Sequence, residues 1–176
     1  ITLKVATMTI SMTSEKVFFP ICGKTDIVIK SGTFTQKYKY KLMPGSTLTI
    51  ENGATFNQNG SIVVYTGDFK DVTDTHYPSG LGDARFTVDG TLNINGAFGG
   101  KVLSTTAGKV VVGANATITD VYSPEGKGNV SNMLMTSYTP LDETMTTKSL
   151  VFVNADNSTV AAETNKTYNY NNGTWQ

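Results

Sequence analysis

At 176 residues the chain is long enough for one domain with a sizeable core, and its 14 basic and 14 acidic residues cancel. A neutral balance argues against a surface built to grip nucleic-acid phosphates or an anionic membrane. Charged residues are only 16% of the chain, and the polarity comes instead from Ser, Asn and 28 Thr; β-branched Thr favours strands, so composition points to an all-β protein. The chain begins at Ile1, which fits a trimmed or excised piece, and no leader is expected within it. No run approaches the roughly 18 apolar residues of a membrane span.

Residues 1–25 read as N-terminal cap strands, with Leu3 and Val5 followed by Thr7, Thr9 and Ser11 interleaved with Met8, Ile10 and Met12. Cys22, in VFFPICG, is the single cysteine. No intrachain disulfide can form, and its apolar neighbours suggest an inert buried thiol.

Residues 26–119 carry a tighter rhythm. Ile27 and Ile29 precede Ser31-Gly32; Leu48 and Ile50, 21 residues on, precede Asn52-Gly53. The clearest stretch is Phe86 to Ile118, where Phe86/Val88, Leu92/Ile94 and Val110/Val112 alternate with polar residues and each run closes on Gly or Asn. Thr47–Phe56 (TLTIENGATF) aligns on Lys109–Ile118 (KVVVGANATI) by a slide of 62 residues; Leu48 lies 44 before Leu92, and Leu92 lies 18 before Val110. These offsets fall near multiples of about 20, one turn of a β-solenoid. The expected fold is a single-stranded right-handed parallel β-helix with terminal caps, seven or eight turns making a rod roughly 35–40 Å long. A β-sandwich is the alternative, since short strands with regular turns describe one too. The expected inward positions are Ile27, Ile29, Leu48, Ile50, Phe56, Ile62, Val64, Val88, Leu92, Ile94, Val102, Val110, Val112 and Ile118. A charge at Ile94 or Val112 should unfold the domain.

Two segments break the rhythm: a loop at 66–85 and a long loop at 120–148, the second with room for a short helix. Residues 149–176 read as C-terminal strands and a hairpin: Leu150 to Val153, then Tyr168 and Tyr170, the turn Asn171-Asn172-Gly173, and Trp175. These aromatics either close the end of the fold or stack on sugar rings. The whole of 1–176 is expected to be one domain.

Chemistry is sparse. His76 is the only histidine, and around it lie Asp68, Asp71, Asp74, Tyr77, Asp83 and Arg85. Asp71, Asp74, His76, Tyr77, Asp83 and Arg85 are the candidate ligand-binding residues, because loops on rigid scaffolds carry function. Acidic residues every three positions could hold calcium through oxygen, although the ordered EF-hand pattern is absent. No other cofactor is expected, and one His with one Cys is too little for zinc. No P-loop, dinucleotide fingerprint or nucleophile elbow occurs, so no catalytic residue is assigned. Asn-x-Ser/Thr occurs at Asn59, Asn115, Asn129, Asn157, Asn165 and Asn172, as chance allows in a chain so rich in Asn and Thr. Outward threonine rows of the kind that order water fit at Thr47/Thr49 and Thr117/Thr119, with Thr87 and Thr91 in partial match.

The segments GSTLTIENGATF, DGTLNING and AGKVVVGANATI resemble turns of bacterial cell-surface proteins, adhesin-like and cell-wall-anchored, that contain right-handed parallel β-helix segments. The resemblance covers roughly residues 26–119 and carries no catalytic motif. It implies a non-enzymatic extracellular or cell-surface module, a scaffold or adhesin-like piece that binds a glycan or a protein partner. The opposing expectations are a polysaccharide-acting β-helix lyase or hydrolase and an ice-binding-type surface. An enzyme should gather carboxylates with Lys, Arg or His in a groove along one face.

Overall fold

The computed structural model describes residues 2–10, 18–21, 25–65, 82–122 and 147–176. Among them every element is a strand. The first seven are β1 (Thr2–Ile10), β2 (Phe18–Ile21), β3 (Asp26–Gln36), β4 (Lys39–Leu42), β5 (Thr47–Ile50), β6 (Ala54–Gln58) and β7 (Ser61–Val64). After residues 66–81 come β8 (Arg85–Val88), β9 (Thr91–Ile94), β10 (Ala97–Leu103), β11 (Lys109–Val112) and β12 (Val121–Tyr122). The last five are β13 (Thr147–Lys148), β14 (Leu150–Val153), β15 (Thr159–Ala161), β16 (Lys166–Asn171) and β17 (Thr174–Trp175). Most strands of the main sheet pair in parallel, and the sheet curls into a half-barrel.

Three ladders organise the sheet. In the first, β3 begins it, Asp26 meeting Thr47 of β5, 21 residues on, and Thr47 meeting Arg85 of β8. The end of β10 and then β14 follow, with Val102 opposite both Phe86 and Phe152. In the second, the far half of β3 pairs with β6, β6 with β9 and β9 with β11: Phe34, Phe56, Leu92 and Val110 stand in line. In the third, β2, β4, β7 and the start of β10 align Phe19, Tyr40, Ile62 and Phe98. β1 continues the first two ladders in parallel, Leu3 opposite Ile29 and Met8 opposite Phe34.

Alternation explains which residues fill the interior. Along β5, β6 and β9 every second residue is buried and its neighbour is half-exposed. Thirteen of the fourteen expected inward positions are fully buried, and Ile27 packs against them partly buried. Register turns like residues into columns of contacts. Phe34 stacks on Phe56 with centroids 5.0 Å apart; across the interior Phe56 meets Phe86 of the first ladder edge-on at 6.0 Å, and Phe86 meets Phe98 of the third at 5.1 Å.

The corners are chemical as well as steric. β3 and β10 each run through a corner, where Gly32 (φ 79°) and Gly100 (φ 118°) adopt backbone conformations that side chains resist. Between the second and third ladders the corner is held by two buried amides. Gln36 Oε1 accepts from Gly60 N at 3.2 Å, and Gln58 Oε1 accepts from Gly96 N at 3.3 Å. Gln58 Nε2 donates to the carbonyls of Gly60 (2.7 Å) and Ala97 (3.1 Å). A Cβ at Gly96 would strike the Gly60 carbonyl oxygen. Apolar side chains here would strand those backbone groups, which explains two Gln in the core.

One end is closed by antiparallel strands. β16 pairs with β11, β15 with β14, and β16 turns into β17. Tyr168 and Trp175 pack on Phe152 at 4.4 and 5.1 Å. The hairpin read from Tyr168 to Trp175 is therefore present, with its aromatics inside. β12 and β13 pair antiparallel and bring the two ends of the 120–148 interruption together. They cover the outer side of the third ladder, where a Cβ on Gly99 would touch Val121 and the Lys148 carbonyl and where the outward Lys41 and Val63 are buried.

Two sequence expectations need correction. Offsets of 21 (Ile27 to Leu48) and 18 (Leu92 to Val110) join true partners. The slide of 62 does not: Leu48 stands in the first ladder opposite Phe86, whereas Val110 stands in the second opposite Leu92. The offset of 44 fails likewise, since Leu92 lies opposite Phe56. Alternating strands on different ladders look alike in sequence because both bury every second residue. Among the described residues the first ladder counts six strands, β1, β3, β5, β8, β10 and β14. Cys22, Asp68 and the short helix expected within 120–148 lie outside the described residues.

Two outcomes follow. Phe56→Ala removes the centre of the aromatic cluster and should cost about 3–5 kcal/mol in denaturant unfolding. Burial pushes the Tyr40 hydroxyl from 10.0 up to about 12. The folded chain keeps that proton while the unfolded chain releases it, so stability should fall between pH 10 and 12. Tyr40→Phe should flatten that alkaline limb in pH-dependent melting curves.

Candidate functional site

Of the six candidate ligand-binding residues, Asp71, Asp74, His76 and Tyr77 lie outside the described residues. Asp83 and Arg85 are described, and both are exposed. Arg85 opens β8 and continues an outward column with Asp26 and Thr47, in which Thr47 Oγ1 donates to Asp26 Oδ1 at 2.6 Å. No contact among the six is seen in the described residues. There, too, no group of three or more His, Cys, Asp or Glu is arranged to hold a metal, and no helix is long and apolar enough to cross a membrane.

What the described strands do assemble is a two-column polar row on the outer side of the second ladder. One column runs Thr33, Thr55, Thr91; the other runs Thr35, Asn57, Asn93. The backbone register extends both columns to Thr7 and Thr9 of β1. Lys109 and Val111 end them on β11. All six central side chains are half-buried, because each leans on its ladder neighbours. Asn93 Nδ2 donates to Asn57 Oδ1 at 2.8 Å, and Asn57 Nδ2 reaches Thr35 Oγ1 at 3.5 Å. Beside this row, Asn95 Nδ2 donates to Asn59 Oδ1 at 2.9 Å.

The six central side chains are neutral, and each can both donate and accept. Thr hydroxyls and Asn amides suit a ligand rich in hydroxyls or amides, and the six carry no positive charge to pair with a phosphate. The sequence expectation chose other threonines. Thr49 in fact faces Thr87 in the first ladder, and Thr117 bridges Ala97 in the third, so they do not form one row. A findable signal existed, Thr-x-Thr or Thr-x-Asn at 33, 55 and 91, but its offset of 36 between β6 and β9 carries residues 66–81. Tyr168, Tyr170 and Trp175 are buried, so their rings are not laid out as a sugar platform.

The nearest titrating group with a built environment is Asp89, at the corner after β8. Burial alone would raise its pKa. Hydrogen bonds from Thr105 Oγ1 (2.6 Å) and N (2.7 Å), Ser104 Oγ (2.8 Å) and Thr106 N (3.1 Å) outweigh that and hold the carboxyl below its ordinary 3.8. Asp89 thereby ties the β8–β9 corner to the β10–β11 corner beneath it. In the same corner, Lys30 and Glu51 approach to 3.8 Å with both side chains well exposed, a pair worth little.

Compared with known proteins, the chain matches no protein-family model, and no curated protein or solved structure matches it.

Asp89→Ala should destabilise the fold by about 1–2 kcal/mol at neutral pH, through loss of charge-assisted hydrogen bonds. A lowered pKa stabilises above the unfolded value and ceases to do so as pH falls through the folded one. The gap between wild type and variant should therefore close below pH 3.8, as measured by urea unfolding across the acid range.

Proposed function

We propose that this chain is a module of a right-handed parallel β-helix that works by presenting a surface. Three ladders taking successive segments in the same order support complete turns of the chain, and parallel crossovers are right-handed in roughly 98% of cases. The resemblance of residues 26–119 to bacterial cell-surface β-helix segments supports an extracellular, adhesin-like or scaffolding role.

The observation that carries the reading is the Thr/Asn row at Thr33, Thr55, Thr91, Thr35, Asn57 and Asn93. A row of matched hydroxyls and amides on a stiff sheet is preorganised, so little side-chain freedom remains to be lost on binding. Its neutral hydrogen-bonding chemistry favours a glycan as the ligand. Calcium, if it takes part, would act through the acidic residues between 66 and 85.

A second reading rests on the same row: Thr-x-Thr repeated at one spacing orders water, as an ice-binding surface does. The Asn57–Asn93 hydrogen bond favours the glycan reading, because it fixes both amides in one orientation for a directional partner. A polysaccharide-acting enzyme would need a groove of carboxylates with a base, and none is gathered among the described residues.

A glycan array probed with and without calcium tests the proposal. Binding should appear, and Thr55→Val with Asn93→Val should weaken it about ten-fold or more at unchanged melting temperature, since two such hydrogen bonds are worth about 1–3 kcal/mol together. Glycan binding indifferent to both substitutions would move the site elsewhere. Ice-recrystallisation inhibition without glycan binding would favour the second reading.

A further inference from the structure

Asn-Gly occurs four times in the chain, at Asn52, Asn59, Asn95 and Asn172. This dipeptide is the one most prone to lose ammonia spontaneously, because glycine leaves its amide nitrogen free to approach the preceding side chain. The fold treats the four very differently. Gly60 N is held by Gln36 Oε1 at 3.2 Å, and Asn59 Oδ1 is held by Asn95 Nδ2 at 2.9 Å. Gly96 N is held twice by Gln58, by its main-chain oxygen at 3.2 Å and its Oε1 at 3.3 Å. Asn172 sits at φ 50° and Gly173 at φ 83°, both left-handed as their hairpin turn demands.

Asn52-Gly53 has no such hydrogen bonds, although Gly53 (φ 86°) shares the left-handed backbone of Gly173. The pair forms the tip of a turn closed by Ala54 N donating to Glu51 O at 3.0 Å. Both residues are exposed, and a Cβ built on Gly53 would meet nothing within 4 Å. Among the described residues no hydrogen bond engages the Asn52 side chain or the Gly53 N–H.

We propose that Asn52 is a self-modification site, and that Gln36 and Gln58 protect Asn59 and Asn95 from the same reaction. The Gly53 nitrogen attacks Asn52 Cγ, the N–Cγ bond forms, and the Cγ–Nδ2 bond breaks. The Gly53 amide proton passes to solvent base, and Nδ2 takes up one proton from solvent as it leaves as ammonia. Water, the co-reactant, then opens the five-membered imide at either carbonyl. One opening leaves an aspartate at position 52; the other leaves an isoaspartate, whose main chain is longer by one carbon. Nothing is oxidised or reduced.

Either product adds one negative charge beside Glu51, on a chain whose formal charge is zero. The longer main chain does more. The turn sits directly on Gly90, where even a Cβ would strike the carbonyl oxygens of Glu51 and Ala54. An extra backbone atom cannot sink inward, so it must displace Ala54 and Thr55, the second of which lies in the Thr/Asn row. The modification itself does not depend on what that row binds.

The test is peptide mapping by mass spectrometry of the intact folded chain, aged in warm, mildly alkaline buffer, beside a sample aged in denaturant. In the folded chain Asn52 should convert roughly ten-fold faster than Asn59 and Asn95 or more, the factor set by breaking a hydrogen bond of about 1.4 kcal/mol. In denaturant the three rates should converge. Equal rates in the folded chain overturn the proposal, and so does a gap that survives denaturant. Gln36→Ala should raise the Asn59 rate while leaving Asn52 unchanged; a folded variant with Asn59 still silent refutes the protective role. If that variant does not fold, the folded-against-denatured comparison still decides.

Discussion

Parallel pairing in strict register is the constraint on which everything else rests. When a strand lies on another with no slip, each side chain meets one fixed partner about 4.8 Å away, on the same face. Inside, this stacks Phe34 on Phe56 and sets Leu92 and Val110 in line after them. Outside, it sets Thr on Thr and Asn on Asn. A slip of one residue in β6 would bury Thr55 and Asn57 and expose Phe56. The hydrophobic column and the polar row are thus two sides of one register, and a slip disrupts both at once.

The corners are where that register is defended. A parallel stack cannot close through tight two-residue hairpins, so each layer must turn sharply and at the same place. Glycine permits the turn, but the stacked carbonyls need donors. Gln36 and Gln58 supply both donor and acceptor, and Asp89, an acceptor only, takes up hydroxyl and main-chain N–H groups at another corner through four hydrogen bonds. Buried amides that are fully engaged favour one arrangement over its neighbours, because a shifted layer would leave them unsatisfied.

Much of this was legible in the residues. Alternation located the strands and nearly the whole interior, because a half-buried strand has no other way to divide its side chains between core and water. The hairpin from Tyr168 to Trp175 was legible because Asn-Gly in a two-residue turn is locally determined. What alternation cannot report is which ladder a strand joins, and Leu48 and Val110 were matched across two of them for that reason. Gln36 and Gln58 stand where an apolar residue would be expected, and only the corner they serve explains them. The polar row is hard to read from sequence because its spacing changes from 22 residues (Thr33 to Thr55) to 36 (Thr55 to Thr91). The loop residues proposed as ligands fall mostly within 66–81, inside that longer spacing.

The aromatic closure at one end has an optical consequence. Trp175 is the only tryptophan in the chain, and it is buried between Phe152 and Tyr170, far in sequence from the first layers. Its emission therefore reports on a single boundary of the molecule, while circular dichroism sums over every strand. A chain whose layers contact only their neighbours need not come apart all at once. Here the fluorophore is already installed at the last layer, so fraying from that end and fraying from the other would be told apart by colour alone, without any label.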